Sequence, residues 1–327
     1  MIPAVIPVAS VEALARALPR TPLAVLPTPL VAAPRLAEAL GTGPLLVKRD
    51  DLTGFAFGGN KARLLEFLVA AATTDGADTL LTGGAAGSNF CAAAAAAARR
   101  AGLGCELVIA GRAASPGPAL ALARSWGAAV RWTGVLERDS VDAALPAVAR
   151  ELTAAGRRPY LIPRGGATGL GAVGYALAAA ELRAQLDGDA VTVLVPTGSG
   201  GTLAGLVAGN VLLGRPWTLL GASASRPPQA AARQVLTLAR DCLRLLGADR
   251  EPGPADVTVV DARGPGHGLP SPGGLAAAEL AIRTEGLMLD PVYTAKALAL
   301  APPGQPVVFW HTGGVLDAVA AAQEAAS

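Results

Sequence analysis

The chain predicts an α/β fold in which a mostly parallel sheet is covered by helices on both faces. Three observations point there. Short apolar runs alternate with alanine-rich helical stretches, glycine-rich loops follow the strands, and 52% of the 327 residues are apolar against 16% charged. Strands alternating with helices of ten or more residues imply right-handed β-α-β crossovers and parallel pairing. In order, DTLLTGG from Asp78 reads as a buried strand and SNFCAAAAAAARRAGLG as a helix that ends at a glycine. CELVIAG is the next strand, PALALARSWGA the next helix, and AVRWTG, YLIPRGG and VTVLVPTG continue the alternation. The alanine run from Ala92 to Ala98 belongs to a helix because alanine is the best helix former. In such sheets ligands sit at the carboxyl ends of strands, where the glycine loops lie.

Composition excludes several classes of protein. A length of 327 residues exceeds the roughly 150-residue mode for a domain, so two domains or one large α/β unit is expected. A net charge of +2, with Arg99-Arg100 and Arg157-Arg158 as the only adjacent arginine pairs, gives no footprint for nucleic acid or an anionic membrane. Aromatic residues, at 4%, are too few for base-stacking platforms. Cys91, Cys105 and Cys242 are odd in number and form no C-x-x-C pair, which argues against a disulfide framework or zinc site and for a reducing compartment. The N-terminal MIPAVIPVASVEALARALPR has no basic residue ahead of its apolar part, unlike a signal peptide. The uncharged run from Ala190 to Gly214 is broken by Pro196, Gly198, Gly200 and Gly201 into strand, loop and helix, so a soluble cytoplasmic protein is expected.

Lysine usage singles out one residue. The chain has three lysines (Lys48, Lys61, Lys296) against 24 arginines, and Lys61 stands where the glycine turn of GGNKARLLEF becomes a helix. A lysine amine can lose its proton and act as a nucleophile, which a guanidinium cannot do near neutral pH.

Four glycine loops frame what that amine could serve. In VTVLVPTGSGGTLAGLVAG, residues 197 to 202 offer unobstructed N–H groups ahead of a helix expected to begin at about Leu203, an arrangement suited to phosphate. No G-K-[ST] follows, which disfavours a nucleoside triphosphatase. GLGAVG, Gly169 to Gly174, fits G-x-G-x-x-G ahead of a helix expected from about Tyr175. It lies several residues past its strand and lacks the acidic residue at the next strand end, so a dinucleotide site is disfavoured. TGGAAGSNF places Ser88 and Asn89 at a helix start, where one of them is expected to cap the helix. HTGG presents Thr312 at a strand end. With two histidines and no G-x-S-x-G, serine-hydrolase and histidine-metal chemistry lack their parts. Spacing leaves acid-pair glycosidase chemistry open for Asp50-Asp51, whose basic neighbours equally suit structural pairing. A phosphate site without a metal loop, one distinctive lysine and polar groups at strand ends suit pyridoxal 5'-phosphate, whose aldehyde joins a lysine and whose ring acts as an electron sink.

In that order, GGNKARLLEFL, TGGAAGSNF, GATGLGAVGY, PTGSGGTLAGL, RTEGLMLDPVYTAKA and HTGG resemble the D-cysteine desulfhydrase and 1-aminocyclopropane-1-carboxylate (ACC) deaminase family, over about residues 24 to 314. These are fold-type II pyridoxal-phosphate enzymes of the tryptophan synthase β superfamily. The resemblance implies two open, twisted, mostly parallel sheets with the active site in the cleft between domains. The large domain would be residues 1–63 and 163–327, the small one 64–162, and the protein a homodimer. It further implies that Lys61 carries the cofactor, that Gly198, Ser199, Gly200, Gly201 and Thr202 hold its phosphate, that Asn89 meets the ring hydroxyl and that Thr312 meets the ring nitrogen. Ser88 and nearby N–H groups would receive a small amino acid, and Tyr293 would face it as acid, base or positioning group.

Thr294 in DPVYTAK and Thr312 in HTGG match the desulfhydrase branch, whereas ACC deaminases resemble DPVYEGK and HLGG. The implied activity is α,β-elimination to a 2-oxo acid and ammonia. The alternatives are ACC-like ring opening, β-replacement, and a sensor that binds without turnover. Phe90 stands in place of the family's histidine in Q-S-N-H, and Gly87 in place of its glutamine. His267 replaces the tyrosine of a YGxPN loop, Ser271 the asparagine, and Leu64 a lysine near the phosphate. Phe90 and His267 are therefore expected to shape the substrate site.

Overall fold

The computed structural model describes residues 8–113, 117–186, 188 and 190–326. The segment weighed against a signal peptide begins outside them. Ten strands are described: β1 (Leu30–Ala32), β2 (Leu45–Arg49), β3 (Thr79–Gly84), β4 (Gly104–Ile109), β5 (Ala129–Trp132), β6 (Pro159–Leu161), β7 (Thr192–Thr197), β8 (Thr218–Ser223), β9 (Thr258–Asp261) and β10 (Val307–His311). The helices are α1 (Val8–Ala15), α2 (Pro34–Leu40), α3 (Lys61–Thr74), α4 (Asn89–Arg100), α5 (Pro118–Ser125), α6 (Asp139–Ala154), α7 (Gly169–Gln185), α8 (Gly201–Leu212), α9 (Pro228–Leu245), α10 (Pro272–Glu285), α11 (Thr294–Leu298) and α12 (Val315–Ala326).

Two sheets result, as the α/β pattern requires. One has six strands in the order β1-β2-β10-β7-β8-β9, parallel except for β1 against β2. The other has four parallel strands in the order β5-β4-β3-β6 and lies wholly within the sequence between β2 and β7. Strands β3 and β7 are buried at every position, as expected of strands covered on both faces.

Helices α7 and α8 start earlier than the sequence suggests, at Gly169 rather than about Tyr175 and at Gly201 rather than about Leu203. The glycines of GLGAVG are helical because they pack, not because they loop. A Cβ on Gly174 would stand 2.2 Å from the carbonyl oxygen of Arg63 on α3, and one on Gly205 of α8 would stand 2.1 Å from that of Ala172 on α7. Backbone thus meets backbone where α3, α7 and α8 cross, and no larger residue fits.

Beneath the start of α3 lies a buried charged network. The Asp50 carboxylate accepts from Arg63 Nε and Nη2 at 3.0 and 2.8 Å, from Thr28 Oγ1 at 2.8 Å, from Trp310 Nε1 at 2.9 Å and from the Tyr175 hydroxyl. Arg63 also reaches Glu181 at 2.9 Å, and Glu181 pairs with Lys48. Burial alone would raise the Asp50 pKa, but Arg63 outweighs it and holds the carboxyl below its ordinary value. Residues from β2, α3, α7 and β10 meet there, which fixes the segment carrying Lys61 to the large sheet. Asp51 forms a separate pair with Arg49 at 2.7 Å, so both acids of KRDD serve the architecture.

Candidate active site

Three loops distant in sequence meet at Asn60. Its backbone N–H donates to the Thr312 carbonyl at 3.0 Å, and its Nδ2 donates to Thr202 Oγ1 at 2.8 Å. The GGNK turn, the HTGG strand end and the first turn of α8 therefore share one residue. Contact between the first two is backbone on backbone, because a Cβ on Gly313 (φ +97°) would lie 2.6 Å from Gly59 Cα. Lys61 projects from this junction as the first residue of α3.

The Lys61 amine is electrostatically unlike the other two lysines. Lys48 Nζ pairs with Glu181 and donates to Thr28 O and Gln185 Oε1 at 2.7 Å. Lys296 Nζ donates to the carbonyls of Arg263 and Gly266 at 2.7 and 3.1 Å, which anchors the loop that carries His267. Lys61 Nζ makes no hydrogen bond or ion pair with any described residue. Burial pushes its pKa down to about 8, against a partial rise from Asp290. About half of the amine is then neutral at pH 8, compared with under about 1% for an ordinary lysine.

Asp290 organises the opposite wall. Its carboxylate accepts from the N–H groups of Val292, Tyr293 and Thr294 at 3.0, 2.7 and 3.0 Å, and from Thr294 Oγ1 at 2.6 Å. This turn sets the Tyr293 ring against the loop after β7, where a Cβ on Gly198 would touch Cε1 at 3.0 Å. Burial pushes the Tyr293 hydroxyl up to about 12, with Arg138 opposing, so the phenol keeps its proton at neutral pH. The His267 and Tyr293 rings stand edge to face at 6.0 Å. Burial and Arg138 lower the His267 pKa, which keeps the imidazole neutral.

Residues 198 to 202 carry the loop after β7 into α8 with a geometry suited to an anion. Gly200 takes φ +97°, which favours glycine, and the first N–H groups of α8 have no acceptor within the helix. Ser225 Oγ and Arg226 Nη1 hold the Gly198 carbonyl at 2.9 and 3.0 Å. Leu64 packs below the cradle, 3.1 Å from where a Gly201 Cβ would lie, so its side chain offers packing where the family's lysine would offer charge.

At the carboxyl end of β3, Ser88 caps α4 by accepting from Cys91 N at 3.2 Å, as expected of one of the pair. Its side chain also hydrogen-bonds the Cys91 thiol. Asn89 Nδ2 donates to Asp317 on α12 at 2.8 Å, and its buried Oδ1 has no partner. Phe90 is 2% exposed, with its ring against Gly166, where a Cβ would be 2.5 Å away. Gly165 in turn would press a Cβ to 2.7 Å from Ser199 Oγ. Phe90 therefore shapes the turn that backs the 198–202 loop. Sequence reasoning missed Asn60, Asp290, Asp317 and Arg226. Asn60, between the glycine turn and Lys61, had the clearest signal.

These residues fit pyridoxal phosphate: a glycine cradle for its phosphate, an unpaired amine of depressed pKa for its aldehyde, and an orphaned buried Asn89 oxygen for its ring. Among the described residues no three His, Cys, Asp or Glu cluster as a metal site would need, and no helix is long and apolar enough to cross a membrane. Fold and site together define a fold-type II pyridoxal-phosphate enzyme. A family model described as "Pyridoxal-phosphate dependent enzyme" matches residues 21–313. The chain belongs to that family and, within it, to the D-cysteine desulfhydrase and ACC deaminase group. It is 38% identical over 315 residues to a D-cysteine desulfhydrase of Klebsiella pneumoniae, covering 90% of this chain and 94% of the relative. Identity, length and coverage are the same for a D-cysteine desulfhydrase of Yersinia enterocolitica. A crystal structure of an ACC deaminase homologue superposes with a TM-score of 0.89 at 31% identity, over 96% of this chain and 98% of that one.

Proposed function

We propose that the protein is a lyase of the D-cysteine desulfhydrase type, converting a small amino acid with a β-leaving group to a 2-oxo acid and ammonia. The observation that carries this reading is the unpaired, easily deprotonated Lys61 amine at the junction of three loops. Lys61, Asn89, Gly198, Ser199, Gly200, Gly201, Thr202 and Thr312 would hold the cofactor. When bound, pyridoxal phosphate accepts the electron pair released at the substrate's α-carbon. The neutral Lys61 amine takes the α-proton, and its lowered pKa suits a base working near neutral pH. Ser88 and the first N–H groups of α4 receive the α-carboxylate. Tyr293, protonated and packed on Gly198, donates a hydrogen bond or proton at the leaving-group side. An uncharged Thr312 hydroxyl would meet the ring nitrogen and would favour expulsion of a good leaving group over ring opening.

The proposal includes two domains, residues 1–63 with 163–327 and residues 64–162, with the substrate between them. A homodimer is also part of it, supported by exposed Leu275 and Ile282 two turns apart on α10. Three buried cysteines with raised pKa values suit a reducing cytoplasm. Sulfide, pyruvate and ammonia released in equal amounts from D-cysteine, and lost in Lys61→Ala, are the expected results. Ring opening of ACC, or β-replacement rather than elimination on O-acetylserine, as the faster reaction would overturn the reading.

A further inference from the structure

We propose that Asp317 is a positioning residue for the cofactor ring: its carboxylate fixes the Asn89 amide and ties the start of α4 to the turn that carries Thr312. The two side chains expected on the ring, one from each sheet, are then held as one unit. This rests on the reading of Asn89 as a ring contact.

The tie crosses from one sheet to the other. Asn89 opens α4, after the loop at the carboxyl end of β3 in the four-stranded sheet. Asp317 lies in the first turn of α12, which follows β10 of the six-stranded sheet. Their side chains meet at 2.8 Å, with Asn89 Nδ2 donating to Asp317 Oδ2. Helix α12 also packs against α5, so a helix that starts on one sheet closes on a helix of the other.

The Asp317 end of this contact is anchored to the site. Upstream of it the Thr312 carbonyl accepts from Asn60 N at 3.0 Å. Gly313 lies against Gly59, and a Cβ on Gly314 would stand 2.6 Å from Asp290 Cβ. Ala318 N then donates to Gly314 O at 3.0 Å as α12 begins. The carboxylate is thus carried on backbone already packed against the turn of Lys61 and against the acid that organises Tyr293.

The Asn89 end has no other anchor. Ser88 caps α4, so the amide is not needed there, and its buried Oδ1 has no partner. A carboxylate only accepts, so it selects the nitrogen end of the amide and thereby fixes the oxygen end as well. Without it the amide would be free to turn, and its donor and acceptor ends could exchange places. Asp317 is also costly where it stands. Burial, together with the Asp290 charge, raises its pKa more than the Asn89 hydrogen bond lowers it. A partly buried carboxylate held by a neutral amide does not offset its desolvation in full. An acid in a first helical turn gains from the helix dipole, but that gain needs no bond to the other sheet.

The test compares wild type with Asn89→Ala, Asp317→Asn, Asp317→Leu and the Asn89→Ala/Asp317→Leu double variant. Each apo-protein is titrated with pyridoxal phosphate and melted, and each loaded protein is read by absorbance. Asp317→Leu should weaken pyridoxal-phosphate binding by about five- to tenfold and shift the visible band of the bound cofactor. Asp317→Asn, which can still accept from Asn89, should keep part of both. The Tm of the apo-protein should not fall in Asp317→Leu, because an apolar side chain replaces a desolvated charge. In the Asn89→Ala background the same substitution should change affinity by less than about twofold, since its effect passes through the amide. Equal losses with and without Asn89 would show that the carboxylate acts by another route. A lower Tm with unchanged affinity and absorbance would make it a helix-end charge, and either result overturns the proposal. Weaker binding in Asn89→Ala with both Asp317 single variants like wild type would sink the proposal alone. An Asn89→Ala protein that binds and absorbs like wild type would remove the reading of Asn89 as a ring contact, and the proposal with it.

Discussion

Replacing Asp50 by alanine tests whether the buried network positions Lys61. The substitution removes five hydrogen bonds, two from Arg63 and one each from Thr28, Tyr175 and Trp310. Arg63 keeps Glu181, so its charge is not wholly stranded. Breaking a buried ion pair from one side costs about 3–5 kcal/mol, and the orphaned Tyr175 and Trp310 donors keep the expected loss within or above that range. At about 2.1 cal/mol/K of unfolding entropy per residue, 327 residues give about 0.7 kcal/mol/K, so Tm should fall by about 4–7 °C. The damage should also reach the site, because the Asp50 carbonyl accepts from Gly59 N at 3.0 Å in the turn that carries Lys61. Calorimetry of the apo-protein and the rate of pyridoxal-phosphate attachment measure the two effects. A Tm loss under about 1 °C with an unchanged attachment rate would refute the reasoning.

Cofactor attachment in the apo-protein should accelerate as pH rises through about 8, because only the neutral Lys61 amine reacts; stopped-flow absorbance would find a midpoint near 10.4 instead if burial did not depress the pKa. Asn60→Ala breaks the bond to Thr202 and should weaken pyridoxal-phosphate affinity by roughly five- to tenfold, measured by fluorescence titration. Gly313→Ala places a Cβ 2.6 Å from Gly59 Cα at φ +97° and should cost at least about 2 kcal/mol of stability, read from chemical denaturation. Tyr293→Phe should bind cofactor normally yet lose about 10²- to 10⁴-fold in kcat on the elimination substrate.

Much of the fold is legible because burial imposes period and punctuation. The mostly apolar β3 and β7 runs, each with glycines at or just past its end before a helix, read directly as buried parallel strands. Lys61 and the 197–202 loop are legible for a related reason: scarcity of lysine and crowding of glycine both depart from background. What sequence conceals is partnership. GLGAVG resembles a nucleotide loop, but its glycines serve helix contact, a fact set by Arg63 more than a hundred residues away. Phe90 gives no sign in the sequence of Gly166, which lies beneath its ring. Asp290 looks like an ordinary surface charge; only the fold reveals that it is saturated with donors.

The central claim, that Lys61 is the residue joined to the cofactor, is tested most directly by borohydride reduction of pyridoxal-phosphate-loaded protein followed by peptide mapping. With three lysines in the chain the outcomes are few. The account predicts a stoichiometric label on the peptide containing Lys61 and none on Lys48 or Lys296, whose amines are bound to Glu181 and to loop carbonyls. A label on either of those two, or no label in protein that retains the cofactor, would contradict it.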